Sequence, residues 1–157
     1  MITLREATAD DRPSLAHLLR LTDAHYYNRQ MEEAEYAKVL DDLLTSGFMR
    51  VVLAFEGEAP IGYAIYTLMQ PTDGIGAQMF MKELFVAPEG RGKGIGSLLM
   101  RRMGEIAKAR GCLRLDWVAD GDNARGQAFY DRLGATRLEG RVYYRVTDFE
   151  DFLSRFE

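Results

Sequence analysis

Leu84-Phe85-Val86-Ala87-Pro88-Glu89-Gly90-Arg91-Gly92-Lys93-Gly94-Ile95-Gly96-Ser97-Leu98-Leu99 reads as an apolar strand that runs into a loop and straight out into a helix. The loop holds four glycines in seven residues. Glycines there let a ligand approach the backbone closely and let successive N–H groups turn inward. The unpaired N–H groups and positive dipole end of the new helix favour an anion, most naturally a phosphate, and Arg91 and Lys93 can add charge. Two familiar phosphate loops fail. A dinucleotide fingerprint beginning at Gly92 needs glycine where Ser97 stands. A P-loop ending in Gly92-Lys93 needs glycine at Ala87 and Ser or Thr at Gly94. On its own physics the loop is an anion cradle or a glycine-rich turn without a ligand.

Working outward, Leu99, Met103, Ile106 and Ala107 repeat at helical spacing until Gly111. Leu113, Leu115, Trp117 and Ala119 alternate as a half-buried strand. Asn123 opens a short helix that passes Phe129 and Leu133 and closes at Gly134. Arg141 to Val146 reads as a last strand, and Thr147 with Glu150 forms a capping box for a terminal helix whose face carries Phe149, Phe152, Leu153 and Phe156. Upstream, Ala77 to Val86 is a long strand, preceded by a loop from Gln70 to Gly76 that contains Pro71 and Gly74. Arg50–Phe55 and Ile61–Leu68 pair as a hairpin through Glu56-Gly57-Glu58. Leu15, Leu18, Leu19 and Thr22 share a face of a first helix that starts near Thr8, Asp11 and Pro13. Tyr36, Leu40, Leu43 and Leu44 do so in a second, which Gly47 stops. Ile2–Arg5 is a short strand. The order β-α-α-β-β-β-α-β-α-β with a short C-terminal helix is a mixed α/β (α+β) sheet, not an alternating doubly wound one.

Composition bounds the function. The 157 residues fit one domain, 1–157, with no internal repeat and no linker. Hydrophobic residues are 47% and charged residues 28%, as in an ordinary globular protein. The one cysteine, Cys112, follows the helix-ending Gly111, looks structural, and excludes an internal disulfide framework or a cysteine-based zinc site. No secretory pattern opens the chain and no long apolar run crosses it, so the expectation is a cytoplasmic protein without a membrane partner. The net charge of −4 argues against nucleic acid as a partner. That charge is unevenly spread. Residues 1–60 are net −5, whereas 91–114 carry Arg91, Lys93, Arg101, Arg102, Lys108, Arg110 and Arg114 against Glu105 alone. A basic segment on an acidic chain suits a phosphorylated ligand, and an acidic front suits a cation; solvated helix faces explain both as well. No metal is expected: His17 and His25 are the only histidines and lie eight apart. No nucleophile-elbow sequence supports Ser/His/Asp catalysis.

Arg91-x-x-Gly94-x-Gly96, with its strand, proline and following helix, resembles the acyl-CoA pyrophosphate loop of the GNAT superfamily of N-acetyltransferases. Asn123-Ala124-Arg125, then Ala128-Phe129-Tyr130 and Leu133-Gly134-Ala135, are similar to that family's second motif. The element order agrees over nearly the whole chain, and the layout is nearest to spermidine/spermine and related small-amine acetyltransferases. The resemblance implies transfer of an acetyl group from acetyl-CoA to a primary amine of a small molecule, by direct attack in a ternary complex. It implies that Leu84, Phe85 and Val86 pair with the pantetheine arm. The backbone of Arg91, Gly92, Lys93, Gly94, Ile95, Gly96 and Ser97 would hold the pyrophosphate, and Asn123, Arg125 and Gly126 would border the pantetheine or adenosine end. Tyr130 stands at the family's general-acid position, where a phenol protonated at neutral pH can donate to a thiolate. Without the motif it is a core aromatic beside Phe129.

An ammonium acceptor must lose a proton before its nitrogen attacks, and Glu83 is placed to take it directly or through a water. The other reading of Glu83 is a strand carboxylate paired with a basic side chain. Lys82 stands where the spermidine/spermine layout has a first carboxylate, a departure that bears on polyamine specificity. His25 and Tyr26 lie between the early helices as a substrate wall. Asp23, Glu32, Glu33 and Glu35 read more as a solvated face than as an amine attractor. Asp116 faces either substrate or solvent. A protein lysine or N-terminus as acceptor, and a non-catalytic acyl-CoA-binding module, are the competing functions. Members often pair through C-terminal strands, which implies a homodimer that covers the Arg141–Val146 edge.

Overall fold

A computed structural model describes residues 1–28, 30–72 and 76–156, with the side chains of Pro71 and Thr72 left aside. Gly74 and Glu157, which the expected loop and terminal segment include, lie outside the described residues. The chain divides into two compact units, Met1–Val118 and Ala119–Glu157.

In the first unit the elements are β1 (Ile2–Glu6), α1 (Arg12–Thr22), α2 (Glu33–Leu44), β2 (Arg50–Glu56), β3 (Ala59–Thr72), β4 (Gly76–Val86), α3 (Ile95–Ala109) and β5 (Cys112–Trp117). They build one five-stranded sheet in sequence order. The β1–β4 neighbours are antiparallel and β5 is parallel to β4. The expected hairpin is β2–β3, with Gly57 at φ 62° in its turn. The expected loop from Gln70 to Gly76 is shorter: β3 continues to Thr72 and β4 begins at Gly76. Pro71 is accommodated because the register shifts between Met69 and Thr72, and an irregular ladder does not require its missing N–H.

A second irregularity matters more. Ile65 pairs with Glu83 but Tyr66 pairs with Met81, so Lys82 is an extra residue in β4. Such a bulge shifts the side-chain alternation by one. Downstream of it, Glu83 and Phe85 share the sheet face of Tyr63 and Ile65, where Leu15, Leu18, Tyr36, Leu40, Val51 and Leu53 form the core under α1 and α2. Upstream of it, Met79 and Met81 share the opposite face with Ala64 and Tyr66, on the side packed by α3.

The entry to α1 is pinned to β1. Arg5 donates through Nη1 and Nη2 to both Asp11 oxygens, each at 2.6 Å, and the Thr8 N–H donates to Asp11 Oδ2 at 2.8 Å. The Arg5 fork, opposed by burial and helped by Thr8, lowers the Asp11 carboxyl to about 2. A carboxyl depressed on folding contributes stability above its unfolded pKa and loses it as pH falls through the folded value. Asp11→Asn is therefore expected to cost about 1–2 kcal/mol at neutral pH, discounted for the half-exposed Arg5. In urea unfolding that difference should persist down to about pH 4 and vanish by about pH 2.

The second unit contains α4 (Ala124–Arg132) and α5 (Phe149–Ser154). Asn123 caps α4 as expected, accepting the Gly126 N–H at 2.9 Å. Gly126 fits because a Cβ there would lie 2.5 Å from Asn123 Nδ2. Two expectations are corrected. Arg141–Val146 forms no strand: its β-branched and tyrosine residues have the composition of a strand, but no ladder partner among the described residues joins them. The terminal helix is capped by Asp148 rather than Thr147, with Asp148 Oδ1 accepting the Asp151 N–H at 2.9 Å, and its α-helical part spans six residues.

Candidate active site

The β4–β5 ladder ends at the pair Met81–Trp117. Beyond it, β4 continues through Val86 with β3 on one side only. Ala87 N–H donates to Ile61 O at 3.0 Å, which fixes the alternation: Phe85 and Ala87 direct their peptide groups at β3, while Leu84 and Val86 direct theirs to the open side. Leu84, Phe85 and Val86, expected from the sequence as an added-strand template, therefore divide. Leu84 and Val86 offer the free edge, and Phe85 is a buried side chain.

That edge leads into a tight turn, Pro88–Gly90, and then to the start of α3. Gly94 is the N-cap residue at φ 76°, a left-handed conformation that suits glycine. Its carbonyl accepts the Leu98 N–H at 3.1 Å, so the amides of Ile95, Gly96 and Ser97 precede the first intrahelical bond. A Cβ built on Gly92 or Gly94 meets nothing within 4 Å, so both face open space. The basic side chains are less free than their sequence suggests. Lys93 Nζ donates to Glu56 Oε2 at 2.6 Å. Arg91 folds back, with Nε on Val86 O at 3.3 Å and Nη2 3.4 Å from His25 Nε2.

On the α1/α2 face, a wide π-helical turn, Asp23–Tyr27, follows α1 and ends at Asn28, φ 45°. Such turns recur at functional sites. It sets His25 and Tyr26 against Phe85, each ring 6.3 Å away, and against each other at 4.6 Å. Arg91, His25, Tyr26 and Phe85 thus meet where the open edge ends. Asp116 belongs to a different arrangement: its Oδ2 accepts from Arg114 Nε at 3.0 Å on its own strand, which answers its charge, and from Gln78 Nε2 at 2.6 Å across on β4.

Glu83 emerges from the bulge on this same face. Its carboxyl is held above the usual glutamate range, chiefly by burial, with the Asp23 charge adding and Lys82 and the Tyr63 hydroxyl opposing. Of the neighbours that act on it, Lys82 is the basic one and Tyr63 the phenol. Tyr63 is fully buried and its phenol is pushed far up, by burial first and then by Glu83. Asp23, read from the sequence as solvated, is buried instead, and accepts from the Tyr36 hydroxyl at 2.8 Å. Sequence reasoning missed Asp23, Thr22, Tyr36 and Tyr63 as a polar group. A buried-face threonine and two tyrosines at core positions were the only signal.

Residues 13–135 match the acetyltransferase (GNAT) family. The chain belongs to that family. It is an N-acetyltransferase of mixed α/β architecture, and the family uses acetyl-CoA as cosubstrate. A thialysine N-epsilon-acetyltransferase of Bos taurus is 28% identical over 156 residues, which span 92% of this chain and 91% of that protein. The Mus musculus protein of the same name is 26% identical, with 90% of each chain spanned. Among known structures, an integron cassette protein from the mobile metagenome of V. cholerae is 29% identical with a TM-score of 0.88, covering 99% of this chain and 96% of its own. An aminoglycoside acetyltransferase from an uncultured soil metagenomic sample shares the fold at 20% identity, with a TM-score of 0.79 and 93% and 95% of the chains covered.

In the second unit, Asn123 and Gly126 form the α4 cap and Arg125 is exposed in its first turn. Tyr130 is half-buried, its ring 5.1 Å from that of Phe129. No helix among the described residues is long and apolar enough to cross a membrane.

Proposed function

We propose that residues 1–157 are one N-acetyltransferase domain that transfers acetyl from acetyl-CoA to a primary amine of a small molecule, by direct attack within a ternary complex. The observation that carries this reading is the free edge of β4, which runs from the carboxylate of Glu83 to the amides at the start of α3 that precede its first intrahelical bond. The edge suits the amide groups of a pantetheine arm, and the helix start suits a pyrophosphate. Arg91–Ser97 supply that end, and Asn123, Arg125 and Gly126 border the cosubstrate from the second motif. Similarity to thialysine acetyltransferases over nine-tenths of both chains supports a small amine as acceptor.

The chemistry then follows from the residues. Glu83 takes a proton from the acceptor ammonium, freeing the nitrogen lone pair to attack the thioester carbon. The developing oxyanion is met by the Val86 N–H, since the Phe85 N–H is committed to β3. As the C–S bond breaks, Tyr130 donates its proton to the sulfur. His25 and Tyr26 wall the acceptor. Asp116, tied to Arg114, shapes the far side. The burial of Glu83 makes its carboxylate a stronger base than an exposed glutamate.

We place the enzyme in the cytoplasm as a homodimer. The exposed Val142, Tyr144, Phe149 and Phe156 support a second copy as partner. Light scattering should give twice the chain mass, and half that mass after deletion of 148–157.

The decisive assay is thiol release from acetyl-CoA with thialysine, lysine, spermidine, an aminoglycoside and a lysine-containing peptide. Turnover is expected with a small primary amine, and less with spermidine because Lys82 opposes a second cation. No thiol released from any acyl-CoA with any amine or peptide would exclude the reading.

A further inference from the structure

Thr22 ends α1 with its side chain turned inward, 2% exposed, and its Oγ1 donates to the Leu18 carbonyl at 2.9 Å. The same oxygen lies 2.8 Å from Tyr63 Oη. A hydroxyl has one proton, so while Thr22 donates to Leu18 the phenol must be the donor to Thr22. Tyr63 stands opposite Phe85 in the ladder and diagonal to Glu83, on the same face, within side-chain reach of that carboxyl, and its hydroxyl favours the ionised form. The other side of the phenol therefore faces the residue that the proposed mechanism uses as base.

We propose that Tyr63 and Thr22 are positioning residues for Glu83: two buried hydroxyls in series with the Leu18 carbonyl, which reverse their hydrogen bonds when the carboxylate takes a proton. With Glu83 ionised, the phenol donates to it. With Glu83 protonated, the carboxyl donates to Tyr63, Tyr63 to Thr22, and Thr22 to Leu18. Each state satisfies every buried donor, so neither protonation state strands a polar group. The chain moves no net proton; it rotates hydroxyls around a carboxyl that gains one. The use of this device in catalysis rests on Glu83 being the base, but its effect on the carboxyl does not.

Several charged or titratable groups face this cluster. Asp23, held by the Tyr36 hydroxyl, lies on the turn; Lys82 precedes Glu83 on β4; Tyr27 acts on Tyr63 from the same turn. Their effects differ in sign, which makes the device testable. In Tyr63→Phe the carboxylate loses a donor, and its titration should move to higher pH. In Thr22→Val the phenol loses its competing acceptor and is left to Glu83, so the titration should move to lower pH. Thr22→Ser should restore the parent value, and Asp23→Asn should lower it by removing a like charge.

The measurement is the 13C side-chain carboxyl resonance of Glu83 in 13C-glutamate-labelled enzyme, assigned by its loss in Glu83→Gln and followed against pH. Opposite displacements for Tyr63→Phe and Thr22→Val, with Thr22→Ser at the parent value, support the relay. Equal displacements, or none, in folded variants overturn it. The acid limb of kcat/KM with thialysine and acetyl-CoA is read beside it. If the resonance moves as expected and the limb does not, the relay stands and Glu83 is not the base.

Discussion

Glu83→Gln should lower kcat by about 10²–10⁴-fold with a small primary amine while leaving the protein as stable as its parent or more so. The two halves have one cause. Burial raises the carboxyl above its ordinary range, so its ionised form is disfavoured in the folded chain. A carboxyl raised on folding contributes stability below its unfolded pKa and loses it as pH rises through the folded value. At neutral pH, above the unfolded pKa, the raised carboxyl therefore costs the parent stability, and the neutral amide removes that cost while keeping the shape. Thermal unfolding and thiol release on the same samples give the check. The stability advantage should disappear in acid, where Glu83 is protonated. Parent-like turnover in the amide variant at pH 7 would move the base elsewhere.

Tyr130→Phe should leave acetyl-CoA affinity unchanged and reduce turnover by about 10²-fold or more. The ring is retained beside Phe129, so little packing is lost. What disappears is the proton that the departing sulfur needs. A thiol has an ordinary pKa near ~8.5, so the deficit should narrow as pH rises past that point, where the thiolate leaves without protonation. Calorimetric titration with CoA and rates from pH 7 to 9.5 separate this outcome from damage to the fold. A variant as fast as the parent would return Tyr130 to the status of a helix aromatic.

The glycine turn, α3, the β2–β3 hairpin and the Asn123 cap were legible in the sequence because each is decided within a few residues. Gly94 at positive φ and the repeat Leu99, Met103, Ile106 need no distant partner to be read. Arg141–Val146 shows the opposite case: a strand exists only where a neighbour pairs with it, and composition cannot supply the neighbour. The polar cluster was hidden for a related reason. Thr22 meets Tyr63 across 41 residues of sequence, and Asp23 meets Tyr36 across 13. In the sequence Thr22 fits an amphipathic helix face and Asp23 an acidic surface. Period-two alternation would also have put Met79, Met81, Glu83 and Phe85 on one side of the sheet. The inserted Lys82 is invisible to that pattern until the pairing partner is known.

The bulge makes β4 a strand with two addresses. Before Lys82 it is Met79 and Met81 that turn toward α3; after it the odd-numbered Glu83 and Phe85 turn toward α1 and α2, and Leu84 takes over the α3 side. Lys82 is thus a natural splice point. A hybrid that takes 83–86 from a relative, with its α1–α2 turn, would carry Glu83 and Phe85 over together and would replace Leu84 and Val86 on the α3 side as well. A hybrid one residue longer or shorter would turn every downstream side chain over. Along this strand, insertions and deletions are a graver change than any substitution.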